Sequence, residues 1–222
     1  MHVRMRLLAV LLFSPPVAFL GTAIEAQQSP ALTHLGHVTT GFGGTPGGSG
    51  LAVTTAREVS LAMMHANLAA GDLSDLGNMQ THSGHVLHLI SPEEGAQGPG
   101  LGFGVIPGIE GITRHIELAA NADGASEILR THSGHVVQAG RAVTSRAAQI
   151  AGLARQVQAA GTATEAARLV EQMRSLALEL NTGSDANGSG GLDLDGIEGG
   201  LGQLEDHLYL SLEGEMLPRV LR

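Results

Sequence analysis

The hexamer Thr-His-Ser-Gly-His-Val stands at residues 81–86 and again, letter for letter, at 131–136. A near copy, Thr-His-Leu-Gly-His-Val, stands at 33–38. A repeat constrains a fold more than local propensity does, because each copy is one small unit that buries itself against its neighbours. Aligning the two identical hexamers extends the match upstream. Gly-Ser-Gly-Leu at 48–51 aligns with Gly-Pro-Gly-Leu at 98–101, and His65 aligns with His115. The repeated unit therefore carries three histidines, His65, His82 and His85 in one copy and His115, His132 and His135 in the next, each shifted by fifty. The copy at 33–38 holds only its pair, His34 and His37, and reads as a truncated unit.

Both full copies read as two helices around a turn. Apolar residues recur at helical spacing in AREVSLAMMHANLAA and GITRHIELAA. GDLSDLG and NADGAS follow, rich in turn and N-cap residues, and a second helix carries the hexamer. Gly84 and Gly134 each cost their helix about 1 kcal/mol relative to Ala, which suits a close approach by a neighbouring helix or ligand. His65 and His82 lie equally far from the first turn, as do His115 and His132 from the second. In an antiparallel hairpin such residues sit at the same height on facing helices. His82 and His85, three apart, share a helix face. Each hairpin is thus expected to converge three imidazoles. Two hairpins joined by the Pro/Gly-rich SPEEGAQGPGLGFGVIPG pack as a helical bundle. The expected fold class is all-α.

A lone histidine is more often a hydrogen-bonded core residue than a ligand. A duplicated trio is different: packing alone does not demand imidazole at matched positions, and protonated imidazoles repel one another. Imidazole suits Zn, Cu, Ni and Fe, and three histidines on one ion leave a coordination position open. The carboxylate-rich di-iron pattern is missing, since Glu-x-x-His does not occur. Met63, Met64 and Met79 have no repeated counterparts and read as core filler. His88 extends the first set, but its counterpart is Gln138. The predicted ligands are therefore His65, His82, His85, His115, His132 and His135, with His34, His37 and His88 as possible additions. A b-type haem held by histidines from different hairpins is the alternative ligand, disfavoured by an aromatic content of 2%. A structural or interaction bundle whose histidines only pack is the third reading. No general base stands at a recognisable spacing from a trio, so no catalytic residue is nominated.

The segment HANLAAGDLSDLGNMQTHSGHVLH, with histidines on both arms of a short hairpin, resembles the small His-rich metal-binding proteins of the bacterial periplasm. The resemblance covers residues 54–140. It implies a helical bundle that takes up divalent metals, notably copper, and a ligand role for the two trios.

The chain opens with Arg4 and Arg6, an apolar run broken by Pro15 and Pro16, and a small-residue stretch. That is the layout of a secretory signal peptide over residues 1–26, so the mature protein is expected to be exported, periplasmic or extracellular, with no membrane span left after cleavage. It has no cysteine, which excludes disulfides, thiolate metal sites and covalent haem attachment. The net charge is −9, and all 12 basic residues are Arg. Removing 1–26 takes away two Arg and one Glu, leaving −10. Such a surface, poor in stacking aromatics, excludes nucleic acid as a partner.

Residues 27–145 form the His-bearing part. From 146 to 222 the composition shifts to Ala, Leu, Arg and Glu. Thr162 and Glu165 spell a capping box. DANGSGGLDLDG at 185–196 resembles an EF-hand calcium loop between helices. Asp185, Asn187, Ser189, the carbonyl of Gly191 and Asp193 fill ligand positions. The twelfth position is Gly196 rather than Glu, with Glu198 two residues late, so calcium binding there is expected to be weak.

Overall fold

The structure is a computed structural model that describes residues 29–95 and 97–218. The signal-peptide layout at 1–26 lies outside the described residues. Seven α-helices and no strand occur among the described residues: α1 (Pro30–Thr39), α2 (Leu51–Ala69), α3 (Leu76–Ile90), α4 (Val105–Ala120), α5 (Glu127–Ala159), α6 (Ala163–Thr182) and α7 (Leu201–Gly214). The protein is an all-α bundle, as the repeat predicts.

Four of the seven described α-helices begin at a side-chain cap, and α2, α4 and α7 begin after Gly50, Gly104 and Gly200 without one. Ser29, Asp75, Ser126 and Thr162 each accept a hydrogen bond from the backbone N–H three residues on, satisfying a donor that a helix start leaves free. The capping box closes with one change of partner: Glu165 Oε2 accepts from the N–H of Gly161 at 3.2 Å, not from that of Thr162.

The long helix α5 is the axis of the molecule, about 50 Å at 1.5 Å per residue, and it packs against α3, α4, α6 and α7. Helix α2 packs against α1, α3, α4 and α6, and α1 lies against α4 and α2. The composition shift at 145/146 falls inside α5, and one apolar core runs from Ala31 to Leu212 across both parts. In all three hexamers the third and sixth residues are buried: Leu35 and Val38, Ser83 and Val86, Ser133 and Val136. This i, i+3 stripe seats each hexamer in the core and leaves its two histidines along one flank.

The Gly-rich joint between the hairpins is fastened to α2 by Glu58. Its carboxylate is fully buried, and Oε1 accepts from the N–H groups of Leu101, Phe103 and Gly104 at 3.0–3.3 Å. Gly100, at φ +104°, is required here, since a Cβ would come within 2.5 Å of Glu58 Oε2 and of Leu89. The G-x-G-L match breaks down at this joint. Leu51 opens α2, whereas Leu101 precedes α4 by four residues and is held by Glu58.

Candidate metal centres

Nine histidines gather into three trios: His34, His37 and His115; His65, His82 and His85; His132, His135 and His207. In each, one hexamer contributes two imidazoles from one helix and a neighbouring helix contributes the third. Helices α1 and α4 build the first trio, α3 and α2 the second, and α5 and α7 the third.

The second trio is the one the hairpin arithmetic predicts. The other predicted trio is not formed. His115 turns to α1 and completes the supposedly truncated unit, while His132 and His135 receive His207. Equal distance from a turn fixes height along the helices but not rotation about their axes. In the second hairpin Ser133 donates its hydroxyl to the Ile116 carbonyl at 3.3 Å, while the His115 ring is turned to α1, where His34 and His37 approach its Nδ1 at 3.0 and 3.4 Å. His207 was missed for want of a hexamer beside it. A signal does exist: the third histidine of every trio stands in His-x-x-Leu, at 65–68, 115–118 and 207–210.

The trios share one geometry. In each, the first hexamer histidine lies tilted or stacked on the third ring, with centroids 5.2 Å apart and interplanar angles of 37°, 33° and 25°. The second hexamer histidine stands edge-on to that third ring at 4.8, 4.8 and 4.6 Å. The Nδ1 atoms turn inward. They are 3.0 Å apart for His34–His115 and 3.4 Å for His37–His115, 3.0 Å for His65–His82 and 3.3 Å for His65–His85, and 3.0 Å for His132–His207. Three nitrogens bound to one tetrahedral ion at 2.0–2.1 Å stand about 3.3–3.4 Å apart.

Hydrogen bonding among the rings does not account for this. Each imidazole nitrogen carries one in-plane proton or one lone pair. Yet His65 Nδ1 is approached by two other Nδ1 atoms, and so is His115 Nδ1. The Nδ1 of His135 is buried and has no hydrogen-bond partner. A cation at the centre satisfies all three lone pairs at once.

Electrostatics favour the neutral, ligating form. His34, His65, His85, His115, His132 and His207 are all held below the ordinary imidazole pKa of 6.5, first by burial and then by neighbouring histidines. His65 is the most enclosed of the nine, at 7% exposure; the other eight are partly exposed. The environments differ in detail. Arg114 adds to the lowering at His115, whereas Asp206 opposes it at His207.

His88 does not join a trio among the described residues. Gly95 lies against its backbone, where an added Cβ would come within 2.7 Å, its ring packs under Gly98, where one would meet it at 3.1 Å, and its buried Nδ1 has no partner. The hexamer glycines are not packing devices in the expected way. A Cβ at Gly134 meets nothing within 4 Å, and one at Gly84 meets only the side chain of Gln158.

The 185–196 loop differs from an EF-hand in two respects. Its exit helix begins at Leu201, five residues beyond the loop. Glu198 is buried and turned onto backbone: Oε1 accepts from the N–H groups of Ala186 and Asn187, and Oε2 from that of Asp193. Asp185 accepts from Ser189 and Gly190, and Asn187 donates to Asp193. Gly191 is exposed. These bonds close the loop without an ion, and calcium would have to displace them to use Asp185, Asp193 or Glu198.

No family model matches this chain, nor does any curated protein or solved structure.

Proposed function

We propose that the protein is an exported binder of transition-metal ions that holds one ion at each of three histidine trios, for storage, buffering or sensing. The observation that carries this reading is the threefold recurrence of one imidazole geometry, assembled from three different helix pairs. The donor set is nitrogen only, which suits Zn, Cu and Ni and is too soft for Ca or Mg. Haem fits poorly: its axial ligands stand on opposite faces of the iron, whereas these nitrogens converge at 3.0–3.4 Å from one side. Export rests on the N-terminal sequence layout. No described helix is long and apolar enough to cross a membrane.

Equilibrium dialysis with elemental analysis tests the proposal. The protein is expected to retain three equivalents of Zn(II) at pH 7.5. His65→Ala should retain two, and His88→Ala all three. Retention of three equivalents by His65→Ala would place the metal elsewhere.

A further inference from the structure

The three trios share a geometry, but their covers differ. Only the first has an aromatic ring against it among the described ring contacts. Phe42 stands 5.4 Å from His37 and 5.1 Å from His115, centroid to centroid, at steep angles of 58° and 64°. The ring is delivered by a glycine-rich strap, residues 41–50, that the other two sites lack. The strap is closed on itself. The Phe42 N–H donates to the Gly48 and Ser49 carbonyls at 3.2 Å, and buried Thr45 donates its hydroxyl to the Phe42 carbonyl at 2.7 Å. Glycine is needed where the strap meets its surroundings: a Cβ on Gly44 would lie 2.6 Å from the Phe42 ring, and one on Gly50 2.4 Å from the Thr39 backbone. The second trio is different, with a cavity of about 360 Å³ opening beside His85, lined by Thr81, Gly84, Gln97 and Gln158 among others.

Charge runs the same way. The residue before the third histidine is Arg114 in the first trio, Met64 in the second and Asp206 in the third. A cation at the first trio has a like charge nearby, and one at the third has an opposite charge. Zn(II), Cu(II) and Ni(II) complete a three-nitrogen set with water or an anion. A phenyl ring has no lone pair to offer in that place. Monovalent copper is stable with three nitrogen donors and carries half the charge of a divalent ion into the field of Arg114.

We propose that Phe42 closes the first trio to a fourth ligand and makes it prefer three-coordinate Cu(I) over the divalent ions it also holds, while the second and third trios, with an open position, prefer divalent ions. The proposal rests on the metal-binding reading above. Phe42 is its specificity-determining residue.

Anaerobic titration of the protein with Cu(I) against a chromophoric chelator is the first test. One equivalent is expected to bind at least tenfold more tightly than the rest. That equivalent should vanish in His37→Ala and persist in His85→Ala and His135→Ala. The second test uses the double variant His85→Ala/His135→Ala, leaving the first trio, loaded with Co(II). Azide should leave its visible spectrum unchanged, should shift it once Phe42→Ala is added, and should again leave it unchanged with Phe42→Leu, which keeps an apolar cover. A tight Cu(I) equivalent that survives His37→Ala, or azide reaching Co(II) under an intact Phe42, overturns the inference. Failure of the protein to retain Zn(II) or Co(II) at any trio overturns the metal-binding reading itself. Three retained divalent ions without any Cu(I) preference overturn only the present inference.

Discussion

At the scale of single residues, the histidines make stability depend on pH in a definite direction. His65 is held below 6.5 by burial first and then by His85 and His82; the same cause leads at His34, His85, His115, His132 and His207. A lowered imidazole pKa means that the unfolded chain binds more protons than the folded one between the folded value and about 6.5. Stability therefore rises with pH through that window. It is fully present above about 6.5 and is lost as pH falls through the lowered folded values. The metal-free protein should melt at a lower temperature at pH 5 than at pH 7.5. The variant His65→Ala/His115→Ala/His207→Ala, which lacks one imidazole in each trio, should show a shallower pH slope. Thermal melts at four or five pH values decide this, and an equal slope in protein and variant would contradict it. Protons and metal compete for the same lone pairs, so Zn(II) uptake should fall steeply over the same interval. Dialysis at pH 7.5 and pH 5 reads that directly, and equal uptake would point to carboxylate ligands instead.

At the scale of elements, the starts of α3, α5 and α6 were legible because capping chemistry is local, whereas α2, α4 and α7 start after glycines that offer no side-chain cap. The loop between α6 and α7 was not legible. Its Asp, Asn and Ser spacing suggests an ion site, but spacing does not reveal where Glu198 points. The structure joins Arg146 on α5 to Glu179 on α6 and to residues 197–199 at the end of the loop. Arg146, buried on α5, donates to the carbonyls of Ile197 at 2.8 Å, Glu198 at 2.9 Å and Gly199, and its Nε lies 3.5 Å from Glu179. One guanidinium, with its five fixed donors, thus ties the end of the loop to the central helix. The sequence hides this, because an Arg in an amphipathic helix ordinarily reads as solvent-facing. Arg146→Ala leaves three carbonyls without their donor and Glu179 without its cation. The expected cost is about 3 kcal/mol. At about 2–4 °C per kcal/mol for a chain of this size, the melting temperature should drop by about 6–12 °C. A change within 2 °C would mean that the loop is held by other contacts. Zn(II) retention at the second trio should be unaffected, since Arg146 touches none of its histidines.

At the scale of the whole molecule, the histidine pattern is a set of ties between elements. The hexamer stated which helices would carry paired ligands, and its buried third and sixth residues explain why that was readable: the same stripe that anchors the helix sets the flank its histidines occupy. Which helix supplies each third histidine depends on how the seven described helices are arranged, and that is decided by packing over the whole core. The first trio joins α1, the first described helix, to α4, and the third joins α7, the last, to α5. The second lies within one hairpin, α2 and α3, which a short turn already connects. Under the proposed function, metal at the outer trios would tie down the first and last described helices, in the part of a fold where proteins ordinarily fray. An ion present at a hundredfold excess over its dissociation constant adds about 2.7 kcal/mol per site. Three sites add about 8 kcal/mol, enough to raise the melting temperature by about 15–30 °C, and a chelator should reverse the rise. The gain should also be uneven. Hydrogen exchange should slow most in α1 and α7 on loading with Zn(II) and least in the middle of α5, residues 140–155, one face of which is buried in the core away from the trios. His37→Ala should remove the protection of α1 alone, and His207→Ala that of α7 alone. Uniform slowing across all seven helices, unchanged by either substitution, would show that the metal acts on global unfolding and not as a pair of ties at the ends.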